Sequence, residues 1–232
     1  MNKKITGIIG TLLSIFILIY FENFTYKLIN MIGIDLNNYS DLIQLIINIV
    51  IKIIICFIIY LIYKKDFKKR YTGNNIIRRT LFFIIYLIIL ILVMYVFKYV
   101  IDFVGDIFDV VIIKQEFYNI FTKTLNINLV IKIITDYLLI PFLYCTIILL
   151  GTDKLCKHKE TFIIFSGLIA SIIYAFSIHG TLIYVIINSL YMFILFSILA
   201  FIYKRENSIW MVILLYGFYL ISNNLIINYL GW

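Results

Sequence analysis

The stretch LIQLIINIVIKIIICFIIYLIY, residues 42–63, holds a single charge, Lys52, in an otherwise apolar run broken only by Gln44 and Asn48. About 20 apolar residues in a helix rising ~1.5 Å per residue match the ~30 Å hydrocarbon core of a bilayer. Burial inside a soluble domain is excluded by the rest of the chain. Its 232 residues are 64% hydrophobic and 14% charged, with a mean hydropathy of +1.06 and one proline, Pro141. A soluble domain carries about a quarter charged residues and has one core to fill. This chain has more apolar side chain than such a core can hide, so lipid is the solvent for most of it. The fold class that follows is all-α, a polytopic transmembrane helix bundle of about seven spans.

Residues 42–63 form the second of those spans. The others fall at roughly 5–21, 80–101, 125–150, 161–179, 181–203 and 208–230. The first follows Lys3 and Lys4 as a secretory signal does, but FENFTYK after it offers no small-residue cleavage site, so an uncleaved anchor is expected. VIIKQEFYNIF, residues 111–121, is too short to span and is expected at the interface. The chain divides into 1–124, with three spans and the interfacial stretch, and a helical core over 125–232.

Lysine and arginine positions set the orientation. With the N-terminus in the cytoplasm, 14 of the 20 basic residues fall on that side, seven of them in KKDFKKRYTGNNIIRR. Only Lys27, Lys114 and Lys123 fall outside, where Asp102, Asp106 and Asp109 also lie. The net charge of +8 therefore reports topology. A basic loop of this kind attracts anionic headgroups, at about 1 kcal/mol per residue near the surface, and is not read as a nucleic-acid site. The excess of Ile, Asn, Lys, Tyr and Phe follows AT-rich codons, so the number of aromatics carries little weight. Cys56, Cys145 and Cys156 form no CxxC and no pairing pattern, which supports neither a disulfide framework nor a thiolate metal site.

Polar residues inside the spans are the candidates for chemistry, because an intramembrane charge costs several kcal/mol unless it points inward or finds a partner. Gln44, Asn48 and Lys52 form one stripe at helical spacing, and Asn128, Lys132 and Asp136 form another. Lys132 and Asp136 are placed to pair along their own helix. Ser166, Ser171, Ser177 and His179 mark the fifth span, and Ser222, Asn223, Asn224 and Asn228 the seventh. The plainer reading is packing: Ser and Asn in membrane helices bond neighbouring helices for about 0.6 kcal/mol each. Small residues four apart (Ser166 with Ala170, and Gly167 with Ser171 and then Ala175) have that geometry. A metal site needs three or four converging ligands, and within the spans only His179 and Asp136 are obvious ones, with no glutamate. His158 sits in a lysine-rich loop and reads as solvated. His179 is left as either a cavity group or a packing histidine.

The C-terminal half, about residues 125–230, resembles the CPBP family of intramembrane metalloproteases, also called the CAAX-protease and bacteriocin-processing or Abi family. A span with a central acid is followed by a charged loop and FSGLIASIIYAFSIHG (165–180). The likeness is clearest in FILFSILAFIYKRENSIW (193–210), with its small-residue helix, aromatic end, Lys/Arg-x-x-Ser turn and Ile-Trp pair. The family motifs are EExxxR, FxxxH and HxxxN. The resemblance places the two glutamates on Thr135 and Asp136, and the arginine on Ile140. The histidine of the second motif falls on His179, with Ala175 at the phenylalanine position between Tyr174 and Phe176. The third motif falls on Tyr216 and Leu220, or one turn on, at Tyr219 and Asn223.

In the family a glutamate activates water while histidine and asparagine hold the oxyanion. Asp for Glu retracts the base by one methylene, and a misplacement of about 1 Å can cost a hundredfold in rate. The resemblance therefore implies a degenerate member with a remnant site at Asp136, His179 and Asn223. It implies a multi-pass protein of a bacterial cell membrane, acting in bacteriocin or peptide self-immunity or as a scaffold for another membrane protein. No cofactor is expected; a divalent metal such as zinc, on His179, belongs only to the alternative of an active metal-dependent or glutamate-type endopeptidase. A third reading, a small-solute transport subunit, rests on the polar stripes and lacks an inverted repeat or a Gly/Pro-broken pair of spans.

Overall fold

A computed structural model describes residues 40–67, 76–108, 127–177 and 182–230, with positions 8, 11, 12, 14–17 and 20 of the first segment. Among the described residues the chain is helical and contains no strand. The helices are α1 (Asp41–Phe67), α2 (Ile76–Phe108), α3 (127–155), α4 (Lys159–Ser177), α5 (Leu182–Glu206) and α6 (Ile209–Leu230). All six are long and apolar enough to cross a membrane, so the protein is the all-α, multi-pass bundle its sequence predicts. The expected anchor at 5–21 is described only in part. There Thr11 and Ser14 are buried, and the Thr11 hydroxyl donates to the Gly151 carbonyl at 3.3 Å. The interfacial stretch 111–121 and Asp109 lie outside the described residues, as do the side chains of Asp102 and Asp106.

Both faces of these helices are apolar, and position in the bundle sorts them. On α1, Ile51, Ile55, Ile59 and Tyr63 recur every fourth residue and are buried, while Ile53, Phe57 and Leu61 face outward. On α2, Tyr86, Leu90, Met94 and Phe97 turn inward and Ile85, Leu92 and Val96 outward. One apolar cluster runs through all six helices. In lipid the outward faces cost nothing, and association depends on close approach rather than on removing apolar surface from water. Gly167 allows such an approach: a methyl there would stand 2.7 Å from the Phe193 carbonyl oxygen. It locks α4 onto α5, the most extensively packed helix pair.

The turns are written locally. Asn207, at φ 50°, ends α5 in the left-handed region that Asn tolerates, and its N–H bonds the Tyr203 carbonyl at 2.8 Å. Ser208 then caps α6, its hydroxyl accepting from the Met211 N–H at 3.3 Å. Within α3, Thr135–Leu139 and Thr146–Leu150 widen into π-helical turns. Pro141 accounts for the first. Its ring would press on the carbonyl four residues back, that of Tyr137, and it has no N–H to offer. The widened turn instead bonds the Ile140 N–H to the Thr135 carbonyl.

Charged side chains gather at one end of the bundle. Lys154 pairs with Asp66 at 2.9 Å and Lys204 with Asp153, while the Tyr86 hydroxyl donates to Glu206 at 2.7 Å. These contacts tie α1 to α3, α3 to α5 and α2 to α5. They bring Lys64, Lys65, Arg78, Arg79, Lys154, Lys204 and Arg205 to the same end.

Candidate functional site

Roughly 25 Å of helix separates Asp153 at that charged end from Asp136, which lines a cavity in the opposite half of the bundle. Its volume is about 420 Å³. Three helices supply most of its wall, each through one face. On α3, Lys132, Ile133, Asp136, Tyr137, Ile140 and Tyr144 repeat at three- and four-residue steps. On α6, Tyr216, Tyr219, Leu220 and Asn223 do the same, joined by Asn224. Helix α5 adds Tyr191, Met192 and Leu195, and α4 adds Tyr174.

The α3 face is held against α6 by a glycine. A Cβ on Gly217 would lie 2.5 Å from the Tyr137 carbonyl oxygen. That carbonyl cannot receive the N–H an α-helix would bring from position 141, because Pro141 has none. The backbones therefore touch where the carbonyl is freed, and the contact presents Asp136 and Tyr137 to the cavity. Tyr137 shares a hydrogen bond with the Asn224 side chain, tying the two helices again beside the hollow.

Asp136 is exposed to the cavity, and both Lys132 and Lys52 act on its charge. The sequence predicted the Lys132 partner, one turn earlier on the same helix. Lys52 comes from the stripe of α1, which packs against residues 127–139 of α3. The two polar stripes thus face each other across the packed helices, and the charges of Lys52 and Lys132 both reach the Asp136 carboxylate.

The remaining polar equipment is phenolic and amide. Six tyrosines border the cavity: Tyr137, Tyr144, Tyr174, Tyr191, Tyr216 and Tyr219. The buried hydroxyls of Tyr191 and Tyr219, and the buried side-chain oxygen of Asn223, have no hydrogen-bond partner among the described residues. A buried, unsatisfied polar atom costs about 1–3 kcal/mol, so these three groups favour whatever water or ligand fills the space between them. Tyr219 is only 1% exposed, which fixes its ring within the wall.

Of the three predicted site residues, Asp136 and Asn223 line this one cavity. His179 lies outside the described residues. Ile140, Tyr216 and Leu220, which the resemblance sets at motif positions, also line the cavity, whereas Thr135 is buried with its hydroxyl donating to the Ile131 carbonyl at 2.8 Å. Of the serines read as helix-packing groups, Ser166 bonds a neighbouring segment and two others bond only within their own helix. Ser166 meets Thr152 at 2.8 Å in a buried hydroxyl pair, and Ser171 and Ser177 bond carbonyls of their own helix. His158 is exposed. As for a metal, the described residues contain no group of three His, Cys, Asp or Glu that could hold one. The described cavity wall offers one carboxylate with amide and phenol groups, which is not a zinc donor set.

Sequence reasoning missed Lys52 as a partner of Asp136 and four of the tyrosines: Tyr137, Tyr144, Tyr174 and Tyr191. The seven-residue spacing of Tyr137 and Tyr144 was the available signal, hidden by the overall excess of aromatics. The chain matches no protein-family model, none of the curated proteins and no solved structure.

Proposed function

We propose that this multi-pass membrane protein is a degenerate relative of the CPBP proteases that binds rather than cleaves. Its cavity holds a segment of a peptide or of another membrane protein, in bacteriocin-type self-immunity or as a scaffold. The charged end faces the cytoplasm of a bacterial cell, with the N-terminus on the same side, by the balance of lysine and arginine. One observation carries the reading. Asp136, Ile140, Tyr216 and Leu220, the positions that the resemblance equates with reacting groups, line one cavity. Among them Asp136 is the one carboxylate, while Ile140, Tyr216 and Leu220 stand where the resemblance sets the arginine, histidine and asparagine of the family motifs. What the wall does offer is hydroxyl and amide groups awaiting hydrogen bonds, over a broad aromatic lining, which suits recognition.

The test separates shape from catalysis. Cells expressing the chain are challenged with cationic membrane-active peptides and compared with Asp136→Asn, His179→Ala and the cavity-filling Leu220→Trp. Binding predicts protection by the parent and by the first two variants, and its loss in Leu220→Trp. Loss of protection in Asp136→Asn together with cleaved peptide would instead establish an active endopeptidase. Absence of protection against every peptide would remove the immunity reading.

A second reading, a small-solute transport subunit, is favoured by the Lys52–Asp136–Lys132 group, which suits a solute carrying both charges. Thermal stabilisation of the detergent-solubilised protein by zwitterionic amino acids would favour it over peptide binding.

A further inference from the structure

We infer that the groove between the first turns of α2 and α6 is a binding site for an anionic phospholipid, seating its phosphate beside Arg79. The groove encloses about 310 Å³ at the charged end of the bundle, far from the Asp136 cavity. Its rim carries Arg79, Thr80 and Ser208. That rim lies at the membrane boundary by the limits of both helices, since the apolar spans begin at Arg78 and at Ile209. One turn deeper the wall turns apolar, with Phe83, Met211 and Leu214. Leu214 is 48% exposed and Phe218, edge-on to Phe83 at 5.7 Å, is 51% exposed, so the apolar wall continues outward along the path of an acyl chain. Polar rim over greasy wall is the amphipathic profile of a lipid.

Charge selects the headgroup. Arg78 and Arg205, next in sequence to the groove residues Arg79 and Glu206, add positive charge at this end of the bundle, their guanidiniums 5.4 and 5.1 Å from the Phe82 ring. Glu206 is the acid in the groove, and its charge is offset: it accepts the Tyr86 hydroxyl at 2.7 Å and lies 3.8 Å from Arg205. The surroundings stay positive, which favours an anionic headgroup over one bearing its own ammonium. A guanidinium has five N–H donors, so any partner Arg79 already holds leaves others for phosphate. Trp210 packs against Phe67, centroids 5.2 Å apart and rings tilted by 46°, and forms a wall of the groove at interfacial depth. This is a built site, distinct from the diffuse attraction of a basic loop.

The full chain, delipidated in detergent, is titrated with phosphatidylglycerol or phosphatidylethanolamine and followed by native mass spectrometry and thermal unfolding. Phosphatidylglycerol is expected to bind about tenfold more tightly, and Arg79→Gln to remove about that factor. Leu214→Trp, which fills the groove without altering charge, weakens the same binding and serves if Arg79→Gln misfolds. Arg78→Gln, outside the groove, leaves most of it intact. Equal affinity for the two lipids overturns the proposal, as does an equal loss in Arg78→Gln and Arg79→Gln. Full stabilisation by inorganic phosphate or glycerol 3-phosphate would mean a soluble anion's site and would also overturn it.

Discussion

Gly217→Ala tests the contact on which the cavity depends. The added methyl would stand 2.5 Å from the Tyr137 carbonyl oxygen, about 0.9 Å inside ordinary contact at 3.4 Å. The clashing atom is backbone in a turn already widened by Pro141, so no rotamer change relieves it. The next nearest atoms, the Tyr137 carbonyl carbon at 3.7 Å and Pro141 Cγ at 3.8 Å, impose nothing further. Helix α6 must therefore back away from α3 by most of that distance. Overpacking of this kind costs about 1–3 kcal/mol, and a gap of 0.5–1 Å between packed surfaces forfeits a quarter to a half of their dispersion attraction. Against this, Ala in place of Gly favours a helix by about 0.8–1.0 kcal/mol. The two effects have opposite signs, so the direction of the change decides which one wins. Thermal unfolding in detergent micelles should show a lower midpoint, by about 2–4 °C for each net kcal/mol in a chain of this size, with Gly217→Val falling further. A raised midpoint in Gly217→Ala would mean that helix propensity acts alone and that the backbones do not meet there.

The left-handed Asn207 makes Asn207→Ala destabilising by about 1 kcal/mol, while Asn207→Gly stays close to neutral; paired melting curves of the two variants read this directly. Thr152 and Ser166 have one hydroxyl proton each, yet both also bond their own helix, to the Ile148 and Phe162 carbonyls at 2.6 and 2.8 Å. Their mutual contact must share those protons, so a double-mutant cycle of Thr152→Val and Ser166→Ala should give a coupling near 0.6 kcal/mol, and a value of several kcal/mol would contradict it. Burial pushes the Cys156 thiol above the usual range; Lys204 works against that shift and Asp153 with it. Alkylation of Cys156 mapped by mass spectrometry should therefore be slower near pH 8 than that of a free thiol and accelerate as pH rises. Because the folded value is raised, any stability tied to this thiol is present at neutral pH and lost as pH climbs through that value. Alkylation as fast as a free thiol would refute the shift.

The sequence alone determined that lipid is the solvent and that helices are the elements. Length and hydropathy decide both, without reference to what any helix touches. The Lys/Arg-x-x-Ser turn entered only through the family resemblance, and the structure shows the local chemistry that builds it, a left-handed Asn207 and a Ser208 cap. Asp136 and Asn223, which line the cavity, stood out in the sequence because a polar group in hydrocarbon is conspicuous. The tertiary structure decided which faces look inward. Helix α2 is apolar all round through its span, so no periodicity separates Leu90, 1% exposed, from Leu92, 58% exposed. It also brought Lys52 to Asp136 and gathered six tyrosines from four helices around one hollow. Pairing of that kind depends on the rotation of each helix about its axis, and in lipid that angle is set by close contacts such as Gly217 on Tyr137 rather than by the hydrophobic pattern along the chain.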